Sequence, residues 1–140
     1  METKEAKSFG IIPIFKDGNT LKTIIVKNKS GDHWGLPKGT PEGEEAPLET
    51  AKRETTEETG IENFKIEDGK TFEEKYTFEA RGNVYNKINT YFLGIVDEMS
   101  EIKFADDIAD VKWVSFDEAK NILTHQTAID VISEVENYLK

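Results

Sequence analysis

Apolar residues recur along this chain in two rhythms. "SFGIIPIF" (residues 8–15) and "TLKTIIVK" (20–27) are apolar runs of strand length, and Lys16-Asp17-Gly18-Asn19 between them is a turn signal. "TFEEKYTFEA" (71–80) and "NVYNKINTYFLGIV" (83–96) read as two further strands, turned at Arg81-Gly82-Asn83, and "DVKWVSF" (110–116) as another. The rhythm becomes helical in "TAIDVISEVENYLK" (127–140), where Ala128, Ile129, Ile132, Val135 and Leu139 share one face. Ser115 and Glu118 have the spacing of a capping box, which predicts a helix from about Phe116.

Between the early and late strands the pattern breaks. "GDHWGLPKGTPEGEE" (31–45) holds four of the ten glycines and two of the four prolines, so an irregular loop is expected. A helix then follows, with Pro47 suited to its first turn and Gly60 to its C-terminal cap. Pro47 to Glu58 makes about three turns. Leu48, Ala51 and Thr55 fall on a stripe expected to face a sheet, and Glu54, Glu57 and Glu58 on a neighbouring stripe. The order is mixed α/β: a sheet with one early helix and one or two late ones. No repeat, low-complexity tract or linker interrupts it, so residues 1–140 read as a single domain.

Composition narrows the chemistry. The chain has no cysteine, which excludes disulfides, thiol catalysis and Cys-ligated zinc. The start, "METKEAKSFG", has no apolar core, so no signal peptide is expected, and no apolar run approaches the roughly 18 residues of a membrane span. A cytoplasmic protein without membrane contact is the expectation. The formal net charge of -10 repels phosphate backbones and argues against long nucleic acid as a partner. It leaves room for a small polyphosphate that arrives with metal ions.

The early helix carries a charge problem. Like charges at i, i+3 and i+4 destabilise a helix by a few tenths of a kcal/mol, roughly, per pair. Arg53 lies four residues after Glu49 and four before Glu57 and can pair with both. One arginine still leaves surplus negative charge on Glu54, Glu57, Glu58 and the loop residue Glu45. A solvated acidic face is one reading. A hard cation, Mg²⁺ or Mn²⁺, is the other, since such ions take carboxylate oxygens.

The spacing weighs between the two. Gly39, Glu45, Arg53, Glu54, Glu57, Glu58, Gly60 and Ile61 together resemble the Nudix box, G-x5-E-x7-R-E-U-x-E-E-x-G-U, with U aliphatic. All seven fixed letters match, a chance event on the order of one in a million at this length. Thr55 departs, standing where the family has an aliphatic residue. The resemblance implies a Nudix-type α/β/α sandwich around a mixed β-sheet and hydrolysis of a nucleoside diphosphate linked to another group. It implies that Glu54, Glu57 and Glu58 hold the metal with the Gly39 carbonyl, that Arg53 orients the glutamates, and that Glu45 supports the loop. Glu54 or Glu58 would take a proton from the attacking water.

"DHWGLPKG" (32–39) adds a finer likeness, to the asymmetric diadenosine tetraphosphate hydrolases within that family. "EKYTFEARGNVYNKINTYFL" resembles their paired strands, with Tyr76 and Lys87 in place. "DDIADVKWVSFDEA" resembles the segment after their last metal-site acid, here Asp107, or Asp106 one step earlier. The implied reaction splits diadenosine tetraphosphate into ATP and AMP. Lys38 and Lys87 would hold phosphates away from the metal. Tyr76, His33 and His125 would stack on or hydrogen-bond to a purine, while Trp34 and Trp113 are expected in the core. A monomer with a small dinucleoside polyphosphate as its partner is expected. The alternatives are another Nudix substrate (a nucleoside triphosphate, a capped RNA 5′ end or a diphosphoinositol) or a non-catalytic nucleotide-sensing module.

Overall fold

The computed structural model describes residues 2–140. In chain order its elements are β1 (Thr3–Asp17), β2 (Thr20–Asn28), β3 (Trp34–Gly35), α1 (Pro47–Thr59), β4 (Lys65–Ala80), β5 (Asn83–Ile95), β6 (Ile108–Ser115), α2 (Phe116–Ile122) and α3 (Gln126–Leu139). The strands run in the order β3-β2-β1-β5-β4, with β6 on the other edge of β2. β1 and β5 are parallel and the remaining pairs antiparallel, so the sheet is mixed. α2 and α3 cover one face through a core that includes Ile12, Tyr91, Leu93, Val131 and Ile132. A second core, with Ile24, Val26, Ile61 and Val111, lies on the α1 side. The result is an α/β/α sandwich. Trp34 and Trp113 pack half-buried against the first and second core respectively.

β1 and β2 pair only from Phe15 to Asp17, and β1 pairs with β5 from Thr3 to Ile14. The two strands therefore diverge, and the fork between them is filled by the loop after β3. Phe9 and Gly39 exchange backbone hydrogen bonds of 2.9 and 3.1 Å, and a side chain on Gly10 would collide with the Pro37 carbonyl. The Ile11 N–H donates to Thr55 Oγ1 of α1 at 2.9 Å. Loop and helix are thus docked on one short stretch of β1.

Several elements extend beyond what the hydrophobic pattern shows. β1 begins at Thr3 rather than Ser8 and β4 at Lys65 rather than Thr71. The added residues are largely exposed; residues 3–7 of β1 and Lys65 and Ile66 of β4 are held by backbone pairing with β5, and residues 67–70 fall in a break of register, none of which side-chain periodicity records. The stripe of α1 expected on Leu48, Ala51 and Thr55 shifts, because Leu48 is only half-buried and the buried face is Thr50, Ala51, Thr55 and Thr59. The three hydroxyls there are all partnered: Thr50 Oγ1 donates to the Glu45 carboxylate, Thr55 Oγ1 accepts from Ile11 N–H, and Thr59 Oγ1 donates to the Thr55 carbonyl and accepts from Ile61 N–H. The β4–β5 hairpin turns on Arg81 (φ 53°) and Gly82 (φ 77°), successive positive φ values that match strand twist. α2 starts at Phe116, with Ser115 and Glu118 forming the reciprocal capping pair.

Candidate active site

The loop from Lys38 to Glu45 is bound to α1 chiefly through Arg53, which pairs with Glu45 and Glu42. Arg53 Nε and Nη2 donate to the two oxygens of Glu45 at 2.7 and 3.0 Å, a forked geometry that gives the strongest form of such pairs. Nη2 also donates to the Thr40 carbonyl (3.0 Å). Glu45 further accepts from Glu42 N–H and the Thr50 hydroxyl. Its carboxyl is held down to about 2, chiefly by the Arg53 hydrogen bonds. Arg53 Nη1 turns the other way, to Glu54 at 2.7 Å and Glu57 at 3.3 Å. The pairing with Glu49 does not form: Glu49 instead accepts from Ala46 N–H at the helix start (3.0 Å), where an orphan amide needs an acceptor.

Glu54 lies against Gly39 so closely that a Cβ there would overlap its carboxyl. Burial raises the Glu54 pKa, with Arg53 opposing. Glu58 is pushed up to about 7, first by burial and further by the charges of Glu54 and Asp107. Its one opposing contact is with Lys38, whose N–H donates to Oε1 at 3.2 Å and whose charge favours the ionised form. Asp107 arrives on the segment after β5, which is tied to the end of α1 by Lys103 N–H to Thr59 O and Ala105 N–H to Glu57 O. Gly60 (φ 81°) permits that approach, since a Cβ there would meet the Lys103 backbone at 2.7 Å. Of the two neighbouring aspartates, Asp107 is the one whose charge acts on Glu58.

Among the described residues no three of these acids converge on one point. Arg53 draws Glu54 and Glu57 to one side, and the Lys38 amide holds Glu58 on the other. The donor set is nonetheless oxygen only and negatively charged in excess, and Glu58 resists ionisation because it is buried beside other acids. A hard divalent cation fits that chemistry.

A path of side chains leads away from the acids. The Lys38 ammonium sits by the Leu36 carbonyl (3.4 Å). Lys87 donates to Ser8 Oγ at 2.5 Å, and burial and then the Lys38 charge lower its pKa. Tyr76 stands directly across the β4–β5 ladder from Lys87. It lines a cavity of about 420 Å³ with Thr77, Phe78, His125, Gln126 and Thr127. His33 lies beside His125, the two rings 5.0 Å apart. Two reciprocal bonds, Trp34 N–H to Thr124 Oγ1 (2.8 Å) and Thr124 N–H to Trp34 O (3.2 Å), hold the two histidine loops together. His125 occupies the N-cap of α3 without bonding the helix amides, which leaves its ring for the cavity.

Glu74, a buried acid on β4, is not among the residues that the box or the resemblance marks. The alternation Phe72, Glu74, Tyr76, Phe78 signals it, by placing an acid on the aromatic face of a strand. Thr50 and Thr124 carried no such signal.

A family model described as the NUDIX domain matches residues 4–135. Bis(5′-nucleosyl)-tetraphosphatase [asymmetrical] of Rattus norvegicus is 30% identical over 125 residues, covering 88% of this chain and 84% of the relative. RNA pyrophosphohydrolase of Bartonella clarridgeiae is 27% identical, covering 88% of this chain and 82% of the relative. The crystal structure of a C. elegans Ap4A hydrolase binary complex superposes with a TM-score of 0.83 at 21% identity, covering 96% of this chain and 97% of that one. No helix among the described residues is long and apolar enough to cross a membrane. With the box residues gathered where loop meets helix and the family model spanning nearly the whole chain, this protein belongs to the Nudix family.

Proposed function

We propose that this chain is a metal-dependent Nudix pyrophosphohydrolase that splits diadenosine tetraphosphate asymmetrically, into ATP and AMP. The observation that carries this reading is the succession of groups from the acidic cluster past two lysines to an aromatic cavity: the Lys38 amide donates to Glu58, the Lys38 charge acts on Lys87, Lys87 stands across the ladder from Tyr76, and Tyr76 and His125 line the cavity. A cluster alone serves any Nudix substrate. Cations set at a distance from it suit a long phosphate chain, and a ring-lined cavity beyond them suits a base. The printed activity of the rat relative adds weight.

Glu54, Glu57, Glu58 and Asp107 would hold Mg²⁺ or Mn²⁺ with the Gly39 carbonyl, which spends one lone pair on Phe9 N–H and keeps the other. When bound, the cation neutralises phosphate charge and makes water more acidic. Arg53 fixes Glu54 and the loop. Glu54 or Glu58 accepts the proton of the attacking water, and Glu58 is the one of the two that carries no ion pair among the described residues. Lys38 and Lys87 grip distal phosphates as point charges. Tyr76, His33 and His125 receive the purine, each stacked base contributing ~1–3 kcal/mol.

The RNA pyrophosphohydrolase relative supports a second reading, removal of phosphate from an RNA 5′ end. The net charge of -10 weighs against it. Incubation with Mg²⁺ and a panel of dinucleoside polyphosphates, nucleotides and capped or triphosphorylated RNA, with products separated by chromatography, decides the matter. ATP plus AMP from diadenosine tetraphosphate is expected. Two ADP molecules, or turnover of RNA alone, would overturn the reading.

A further inference from the structure

Glu74 is 6% exposed, yet it sits on a strand face whose neighbours are aromatic. Its Oε1 accepts from Asn89 Nδ2 (3.0 Å) and from the Tyr91 hydroxyl (2.9 Å), and its Oε2 from Thr127 Oγ1 (2.6 Å). Asn89 is wholly buried and its Oδ1 has no partner, so the amide faces the carboxylate at the expense of its own oxygen. Replacing both partners of a buried polar contact by well-packed apolar groups of the same shape is often nearly neutral, so stability alone does not account for this network.

Position supplies a further reason. Glu74 and two of its three partners, Asn89 and Thr127, each lie two residues from a side chain of the proposed substrate path. Tyr76 follows Glu74 on β4, Lys87 precedes Asn89 on β5, and His125 precedes Thr127 at the start of α3. Two residues along a strand is one step on the same face, so the carboxylate anchors the floor directly beneath Tyr76 and Lys87. At α3 the bond to Thr127 ties the first helical turn to the sheet. Among the described residues the other hydrogen bond between α3 and β4, Tyr138 to Glu67, lies at the far end of the helix. That first turn has neither a side-chain cap nor an acid of its own, and a negative charge delivered there from β4 complements the helix dipole. The charge also attracts Lys87.

We infer that Glu74 is a positioning residue that sets the width of the base cavity, by locking the His125 end of α3 to the strand that carries Tyr76. The inference rests on the proposed function. It differs from a purely structural role in what it changes: binding of the purine end weakens, while the rate once substrate is bound is preserved.

The test compares wild type, Glu74→Gln, Thr127→Val, the double variant and Thr127→Ser, using steady-state kinetics on diadenosine tetraphosphate and calorimetric binding of AMP. Thr127→Val removes only the hydroxyl, and Thr127→Ser keeps it. KM and the AMP Kd are expected to rise about 10-fold in Glu74→Gln and in Thr127→Val, with kcat within about 3-fold of wild type. The double variant is expected to be no worse than the worse single, because both act on the same Glu74–Thr127 contact, one by loss of charge and the other by loss of the hydroxyl, and Thr127→Ser is expected to recover most of the loss seen in Thr127→Val. If Glu74→Gln fails to fold, the Thr127→Val and Thr127→Ser pair decides alone. A fall in kcat with KM and Kd unmoved, additive losses in the double variant, or a Thr127→Val protein that binds AMP like wild type would each overturn the inference. A wild type that neither hydrolyses the substrate nor binds AMP would overturn the proposed function as well, so the two failures are distinguishable.

Discussion

Glu45 and Glu58 stand at opposite ends of the loop-and-helix unit, and their carboxyls are displaced in opposite directions. Hydrogen bonds from Arg53 hold Glu45 at about 2, below its ordinary 4.5. Its contribution to stability is therefore present above pH 4.5 and is lost as pH falls through about 2. Thermal melts of the metal-free protein in acid should show Glu45→Gln losing less stability than wild type over that window. Parallel acid limbs would mean that the Arg53 fork contributes nothing net. Glu58 has the reverse sign. Burial raises it to about 7, so the folded chain binds more protons than the unfolded one between 4.5 and 7. Metal-free stability is full below that window and falls as pH rises through it. A cation needs the ionised acid, so the rise in Tm on adding Mg²⁺ should grow from about pH 5 to about pH 8, and Glu58→Gln should flatten both dependences. A Mg²⁺ shift independent of pH would show that Glu58 is not a ligand.

At the scale of elements, α1 explains the one box position that departs from the family pattern. An aliphatic side chain at position 55 would leave the Ile11 N–H without an acceptor where β1 has parted from β2, and Thr55 Oγ1 fills that need. Thr55→Val keeps the shape and deletes the acceptor. It should lower stability by ~1–3 kcal/mol, the cost of a buried unsatisfied amide, read as a lower urea midpoint at unchanged m value. An equal or higher midpoint would show the hydroxyl to be dispensable. The helix and its ends were legible in Pro47, Gly60 and the acidic stripe, because caps and 3.6-residue spacing are local signals. The threonine face was not, since those hydroxyls answer groups on β1, in the loop and beyond the helix end. The first half of β1 escaped notice for a related reason. Its charged, exposed side chains carry no alternation, and only the parallel ladder to β5 makes it a strand.

For the whole molecule, what matters is the distance from the acids to the cavity, spanned by Lys38 and Lys87. The box and the element order made the fold legible in one dimension. The convergence of β4, β5 and the start of α3 was not legible, because it depends on how a sheet and a helix pack in space. The two lysines came from different parts of the chain and now stand close enough for one to depress the pKa of the other. Both lysines are half-buried, and an anion between their ammonium groups would offset the repulsion that each exerts on the other. A four-phosphate chain supplies charge there beyond what the metal site neutralises, whereas a short nucleoside diphosphate derivative does not reach. Lys38→Ala and Lys87→Ala should therefore each reduce kcat/KM for diadenosine tetraphosphate by ~10–100-fold, as expected for one lost charge-assisted hydrogen bond. Hydrolysis of the short substrate should fall much less. The two need not match, since the Lys38 amide also serves Glu58 and survives the substitution, while Lys87 loses its bond to Ser8. Steady-state kinetics of each variant on a long and a short substrate distinguish the roles. Equal losses on both substrates would assign the lysine to the metal cluster or to the fold. Undiminished turnover of the long substrate by Lys87→Ala would remove that residue from the phosphate path and end the path at Lys38.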